Sequence, residues 1–333
     1  MTRFLVIQTA FIGDVVLATA LVESLAARFP DANIDFLLRK GNEGLLANNP
    51  HIRQVLIWNK KENKTRNLLG LLKTIRHNRY DYVINTQRYF STGLLTAFSG
   101  AAHRIGFDKN PLSFLFTQRV KHVFDITHPQ HETEKNQALI AGLCGEQAAR
   151  PRLYPSATDY ATAQSYGSSD FITMTPSSVW FTKKYPIEKW VELIEAIPEN
   201  TRIYLLGGKD NRSECDAIIA QLKRQQVFSL AGELNFLQSA ALMQSARMNV
   251  VNDSGPLHFA SAMNAPTTAI FCSTIPAFGY YPLSDQSYII ETPTVLNCRP
   301  CGIHGKKACP HRHFRCGYDI QLGQFQKPLM LPA

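Results

Sequence analysis

The chain of 333 residues lacks the signatures by which nucleotide- and metal-handling proteins are most readily recognised. It has no Gly-x-Gly-x-x-Gly run and no Walker-type phosphate loop, which argues against a dinucleotide-dependent dehydrogenase and against a P-loop NTPase. It has no Asp-x-Asp, so no obvious carboxylate pair is offered to a metal on a nucleotide diphosphate. No apolar run is long enough to cross a bilayer. There is no zinc-finger helix, no RNP-like aromatic motif and no long basic helix, so nucleic acid is not the expected partner. The first residues, Arg3-Phe4-Leu5-Val6-Ile7-Gln8, read as a strand, and Asp14 and Glu23 interrupt the apolar stretch that a signal peptide would need. The expectation is a cytoplasmic protein.

What is present is a globular composition, 45% hydrophobic and 18% charged. At this length a single core nears its usual limit, so two domains are expected. Net charge is +9, from 35 Lys and Arg against 26 Asp and Glu. Such an excess favours an anionic partner, whether a phosphorylated small molecule or a membrane surface.

Short Val/Ile/Leu-rich runs alternate with helical patterns. In the first half Arg3–Gln8, Asn33–Leu38, Val55–Trp58 and Tyr82–Asn85 read as buried strands, and Arg104-Ile105-Gly106 closes another. Val15–Arg28, Asn42–Ala47, Arg66–Asn78 and His131–Cys144 have helical spacing. Ala149–Ser156 carries two prolines and no period, as a linker would. The second half repeats the logic, with strands at Phe171–Met174, Ile203–Leu206, Asn249–Asn252 and Thr267–Phe271, and a helix opened by Pro186. Strands alternating with helices imply parallel sheets. The expected fold is α/β, with two Rossmann-like domains, residues 1–150 and 157–333, facing each other across a cleft. Ligands of such sheets bind beyond the carboxyl ends of the strands.

Five constellations follow strands or stand apart in composition. Ile12-Gly13-Asp14-Val15-Val16 lies between the first strand and the first helix. Asp14 reads either as a helix cap or as a general base. In Pro176-Ser177-Ser178-Val179-Trp180-Phe181-Thr182-Lys183-Lys184-Tyr185-Pro186, hydroxyls and a lysine can hold a diphosphate, and chemistry alone does not say which lysine points inward. In Asn252-Asp253-Ser254-Gly255-Pro256-Leu257-His258 a strand gives way to a helix whose first amides form an anion site. There Asp253 can accept from sugar hydroxyls, and His258 is either a phosphate ligand or a satisfied core histidine. Lys60, Lys61 and Lys64 form a basic stretch after the third strand, and Arg88 follows the fourth. They read as a site for an acidic acceptor or as a solvated run. Cys298, Cys301, Cys309 and Cys316, interleaved with His304, His311 and His313, read either as a structural zinc site or as packed free thiols.

Together the Ile12–Leu17 motif, Lys183-Lys184-Tyr185-Pro186, Asp253–His258 and the Cys298–Cys316 segment resemble glycosyltransferase family 9, the ADP-heptose:lipopolysaccharide heptosyltransferases. They occur in that family's order and span nearly the whole chain. Tyr185 departs from the resemblance, standing where the family often has tryptophan, and Ser177 and Ser178 stand for threonines of some members. The resemblance implies a GT-B fold and an inverting transfer that uses neither metal nor cofactor. It implies Asp14 as base, Lys183 with Ser177 and Ser178 at the donor diphosphate, and Asp253, Ser254, Gly255 and His258 at the donor's phosphates and sugar. The implied partners are an ADP-heptose-like nucleotide sugar and the anionic core of lipopolysaccharide at the cytoplasmic face of the inner membrane. The alternatives are a transferase or epimerase of the same fold acting on another nucleotide sugar, and a non-catalytic nucleotide-sugar-binding protein.

Overall fold

A computed structural model describes residues 1–167 and 170–331. The chain divides into two compact units, Met1–Tyr154 and Pro155–Ala333. The division falls inside the proline-bearing stretch 149–156. That stretch is fastened to unit 1: Arg152 donates its amide to Thr19 Oγ1 at 2.9 Å, and the Tyr154 hydroxyl meets both Glu23 carboxylate oxygens at 3.0 Å.

Unit 1 contains β1 (Arg3–Ile7), α1 (Ile12–Arg28), β2 (Asn33–Arg39), β3 (Ile52–Trp58), α2 (Lys64–Asn78), β4 (Tyr82–Asn85), α3 (Phe90–Ala97), β5 (His103–Phe107), β6 (Gln118–Val120), α4 (Glu132–Gln137) and α5 (Ala141–Cys144). Its six strands lie in the order β3-β2-β1-β4-β5-β6, all parallel. The central strands are unbroken apolar runs because helices cover both faces of such a sheet; Phe4, Leu5, Val6 and Ile7 are all fully buried.

Unit 2 contains α6 (Ala157–Gln164), β7 (Phe171–Thr175), α7 (Ile187–Ala196), β8 (Arg202–Leu205), α8 (Arg212–Ile219), β9 (Val227–Ser229), α9 (Phe236–Ser245), β10 (Met248–Asn252), α10 (Gly255–Ala262), β11 (Thr267–Phe271) and β12 (Ser287–Glu291). The sheet order is β12-β11-β10-β7-β8-β9, again all parallel. In each sheet the order reverses once, between β1 and β4 in unit 1 and between β7 and β10 in unit 2. A crevice forms at such a reversal, because neighbouring connections leave toward opposite faces.

Several local expectations change. Asn42–Ala47 is a single 3-10 turn, Glu43–Leu46. The helical stretch His131–Cys144 splits into α4 and α5, because Leu139 and Ile140 donate to carbonyls three residues back and bury their side chains completely. Lys64 and Arg66 belong to the first turns of α2, which starts after Asn63 turns the chain at φ 44°. Gly13 lies within the first turn of α1.

The core of unit 2 gathers about Trp190 of α7, fully buried with Leu193, Ile194, Ile203, Val250 and Phe325. Its indole meets the Tyr185 ring edge-on at 5.5 Å, which links the core to the lysine turn. Trp190→Ala is expected to destabilise the protein by about 3–5 kcal/mol, the range for emptying a large aromatic site. An unchanged urea midpoint would refute this placement.

Candidate active site

Each sheet delivers its loops to the reversal point. In unit 1 these are the β1–α1 loop and the residues after β4, bridged by Gln87 Nε2 donating to Gln8 Oε1 at 2.5 Å. Asp14 is the third residue of α1, half-buried, and its Oδ2 accepts the Phe11 amide at 3.1 Å. The carboxylate thus satisfies a helix-end donor, so its capping role is realised. Arg39, at the end of β2, lies over the Phe11 ring at 5.0 Å. Burial lowers its pKa, and the Asp14 charge works against that shift.

Lys60 also reaches this loop. Its Nζ donates to Thr9 O at 2.7 Å and Thr9 Oγ1 at 3.1 Å, and lies over the Trp58 ring at 4.7 Å. Burial, then the charges of Arg39 and Lys64, lower the ammonium to about 8. Lys60 is therefore no solvated lysine. Lys61, Lys64 and Arg88 are exposed, Arg88 beside the Tyr89 ring.

In unit 2 the reversal point joins the loop after β7 to the loop after β10. Asn252, fully buried at the end of β10, donates from Nδ2 to Pro176 O at 2.6 Å and accepts the Tyr185 amide on Oδ1 at 3.0 Å. One carboxamide thus ties down both ends of the segment holding Ser177, Ser178 and the two lysines. Lys183 Nζ lies 2.8 Å from Asp253 Oδ2, which also accepts the Thr274 hydroxyl at 2.6 Å. Lys184 turns away to Glu214 at 2.9 Å. The inward lysine is therefore Lys183. Ser177 is buried and Ser178 half-buried in the same loop.

Asp253 immediately precedes α10. Ser254 caps that helix through its backbone, and its hydroxyl is buried with no hydrogen-bond partner among the described residues. The same holds for His258 Nδ1. An unpaired buried polar atom is costly, and these two lie at the start of one helix. Complete burial, with Lys183 near, lowers the His258 imidazole to about 3. It is neutral at physiological pH and can offer a hydrogen bond but no positive charge.

The cysteine segment closes around the lysine turn. Thr182 donates its amide to Lys306 O at 3.1 Å, and its hydroxyl accepts the Lys306 amide at 2.7 Å and the Ser273 hydroxyl at 2.9 Å. Gly305 stands at φ +75°, and a Cβ there would come within 2.9 Å of Lys183 Cγ. Cys316 is buried in the core, and burial, with Cys301 near, pushes its thiol up to about 12. Cys298 Sγ lies 3.8 Å from His313 Nε2. Among the described residues, no three His, Cys, Asp or Glu side chains are grouped as a metal would require. Cys298, Cys301, Cys309 and Cys316 nevertheless lie within electrostatic reach of one another. The same segment packs against the Lys183 stem through Gly305.

The sequence profile of glycosyltransferase family 9 (heptosyltransferase) matches residues 68–310, more than half of the chain. The chain belongs to glycosyltransferase family 9. It is thus a glycosyltransferase, and both Lys183 and Asp253 fall inside the matched stretch while Asp14 lies before it. Its relatives include lipopolysaccharide heptosyltransferase 2 of Escherichia coli K12, 26% identical over 88% of each chain. Another is lipopolysaccharide heptosyltransferase 1 of Pseudomonas aeruginosa, 26% identical over 93% of this chain and 88% of the relative. The solved structure of E. coli ADP-heptose lipopolysaccharide heptosyltransferase II aligns over 99% of both chains, with a TM-score of 0.78 at 23% identity. The fold of this family 9 member is that of the GT-B heptosyltransferases.

Arg39, Ser273, Thr274 and Gly305 escaped the sequence reading. A glycine before two lysines in a Cys/His-rich segment was the available signal for Gly305. Gly305→Ala places a left-handed alanine against the Lys183 stem, at an expected loss of about 1–3 kcal/mol. A several-fold rise in donor KM should accompany the lower thermal midpoint. Wild-type KM and midpoint together would remove the clamp.

Proposed function

We propose that this enzyme transfers a heptose from ADP-heptose to the anionic inner core of lipopolysaccharide, with inversion and without a metal. The relatives named above are lipopolysaccharide heptosyltransferases, which supports both the donor and the acceptor class. The observation that carries the donor reading is Lys183 at 2.8 Å from Asp253, beside the unpartnered Ser254 hydroxyl at the first turn of α10. Fixed cations and helix-end amides are what a departing diphosphate needs.

In this reading unit 2 binds the donor. Lys183, the amides of Ser254 and Gly255 and the hydroxyls of Ser177 and Ser178 take the diphosphate. Asp253 accepts from sugar hydroxyls, and neutral His258 contributes a hydrogen bond. Unit 1 binds the acceptor, with Lys60, Lys61, Lys64 and Arg88 opposing its negative charge. Asp14 removes the proton from the attacking hydroxyl. That oxygen bonds to the anomeric carbon as the bond to the diphosphate oxygen breaks, and the electron pair leaves on ADP. One base and one displacement give inversion with no covalent intermediate. With no Asp-x-Asp, the developing charge falls to Lys183 and the helix amides. No nucleic acid takes part, and the acceptor places the enzyme at the cytoplasmic face of the inner membrane. No helix among the described residues is long and apolar enough to cross that membrane.

ADP release from ADP-heptose, with a heptose-free lipopolysaccharide core as acceptor, tests this directly. Asp14→Asn should still bind ADP while turnover falls about 10²–10⁴-fold, the usual contribution of a positioned base. A mutant turning over at the wild-type rate excludes Asp14 as base. Consumption of UDP- or GDP-sugars in place of ADP-heptose overturns the heptose assignment and leaves the transferase class standing.

Lys60 supplies a pH test. Its lowered pKa means that the ammonium is protonated below about 8 and loses its charge above it. Acceptor KM should therefore rise as pH passes through about 8, and Lys60→Arg, which keeps its charge, should flatten the rise. The same inflection in the arginine variant would assign the titration to another group.

A further inference from the structure

The charge excess is not shared between the units. Residues 1–154 hold 20 of the 35 Lys and Arg but only 12 of the 26 Asp and Glu, which leaves 15 against 14 for the remainder. On unit 1, three segments with exposed apolar side chains meet. Asn110 Nδ2 donates to Gln87 O at 2.9 Å and to Tyr89 O at 3.1 Å, which binds the loop after β5 to the start of α3. Asp108 accepts the His122 amide on Oδ1 at 2.9 Å and donates its own amide to Val120 O at 2.8 Å, which brings up the segment after β6. The His122 imidazole is held low by burial and by the charges of Lys135, Arg88 and Lys109, with Asp108 opposing them. Arg88 before α3, Lys109 after β5 and Lys135 of α4 therefore lie within electrostatic reach of one ring.

Around them stand large apolar groups in water: Phe114 at 67% exposure, Phe90 at 57%, Tyr89 at 53% and Ile126 at 52%. Lys109, Arg119 and Lys121 are exposed among them. The acids on this face, Asp108 and Asp125, are engaged by neighbouring backbone amides.

We propose that this face of unit 1 docks on an anionic lipid bilayer. Aromatic and aliphatic side chains interleaved with lysines match the headgroup layer, where rings and aliphatic groups insert and ammonium groups meet phosphates. Ile126 and Leu115 have no π-face to stack on a base, which disfavours single-stranded nucleic acid. A second copy packed isologously would set Arg88, Lys109 and Lys121 against their own equivalents. The proposal rests on the preceding reading in one respect, that the acceptor is a membrane glycolipid. It places the docking face at the carboxyl ends of β4 and β5, adjoining Gln87 and the acceptor residue Arg88.

Co-sedimentation with phosphatidylethanolamine vesicles containing either phosphatidylglycerol or phosphatidylcholine tests it. The wild-type chain should partition onto the anionic vesicles and be released by salt. Lys109→Gln combined with Lys121→Gln should lower the partition coefficient by at least tenfold, because each basic residue contributes about fivefold. Phe114→Ser combined with Ile126→Ser should lower it several-fold and leave the thermal midpoint unchanged, since both side chains already face water. Both pairs should retain turnover on a soluble, lipid-free core acceptor. Equal sedimentation of wild type and variants, or of anionic and zwitterionic vesicles, overturns the proposal. So does self-association in sedimentation equilibrium that the Phe114→Ser, Ile126→Ser pair abolishes. Vesicle binding without any heptose transfer would leave the docking face standing and overturn the functional reading alone.

Discussion

The candidate site of unit 2 depends first on the side chain of Asn252. It is fully buried at the end of β10, next to β7, and both ends of its carboxamide are committed to the loop that leaves β7. Without it, the Pro176–Tyr185 segment would lose the ties at both its ends and keep only those in its middle, at Thr182, Lys183 and Lys184. With it, Lys183 arrives beside Asp253 and Lys184 is turned toward Glu214. The charges at the site are thus oriented by a neutral group, whose burial is acceptable because its polar atoms are satisfied.

The cysteine-bearing segment completes that arrangement from the other side. It does so through Gly305, which meets the Lys183 stem, and through the amide of Lys306, which donates to Thr182. Beside the Cys and His side chains that draw attention in the sequence, the segment thus supplies groups that let two loops approach closely.

Much of this organisation is legible in the sequence. The strands β1, β2, β4, β7, β10 and β11 are runs of mostly apolar, almost wholly buried residues, because parallel strands covered on both faces need no polar alternation. Edge strands are not legible in this way: β6 and β9 have three residues each, and only Val227 in these two is buried. Helix α3, Phe90–Ala97, is hidden by its threonines and glycine, which signal loops until the packing of Gly93 against Asn110 is known. For the candidate site, motif spacing singled out Asp14, Lys183 and Asp253. It did not choose between Lys183 and Lys184, because that depends on Glu214 and Asp253, each far away in the chain. Nor did it reveal Thr274 or Gly305, whose roles exist only once β11 and the C-terminal segment are in place.

The ion pair between Lys183 and Asp253 has one further consequence. Because the lysine already has a carboxylate partner, its charge is offset before the proposed donor arrives. An incoming anion gains only the difference between its own interaction and the one it replaces. Small free anions, which bring charge and little else, are poor competitors in such an exchange. A ligand that presents a diphosphate to Lys183 while offering hydroxyls to Asp253 compensates both partners at once. In the proposed donor role the pair would act as a resident place-holder, with selectivity arising from the requirement to replace both of its halves.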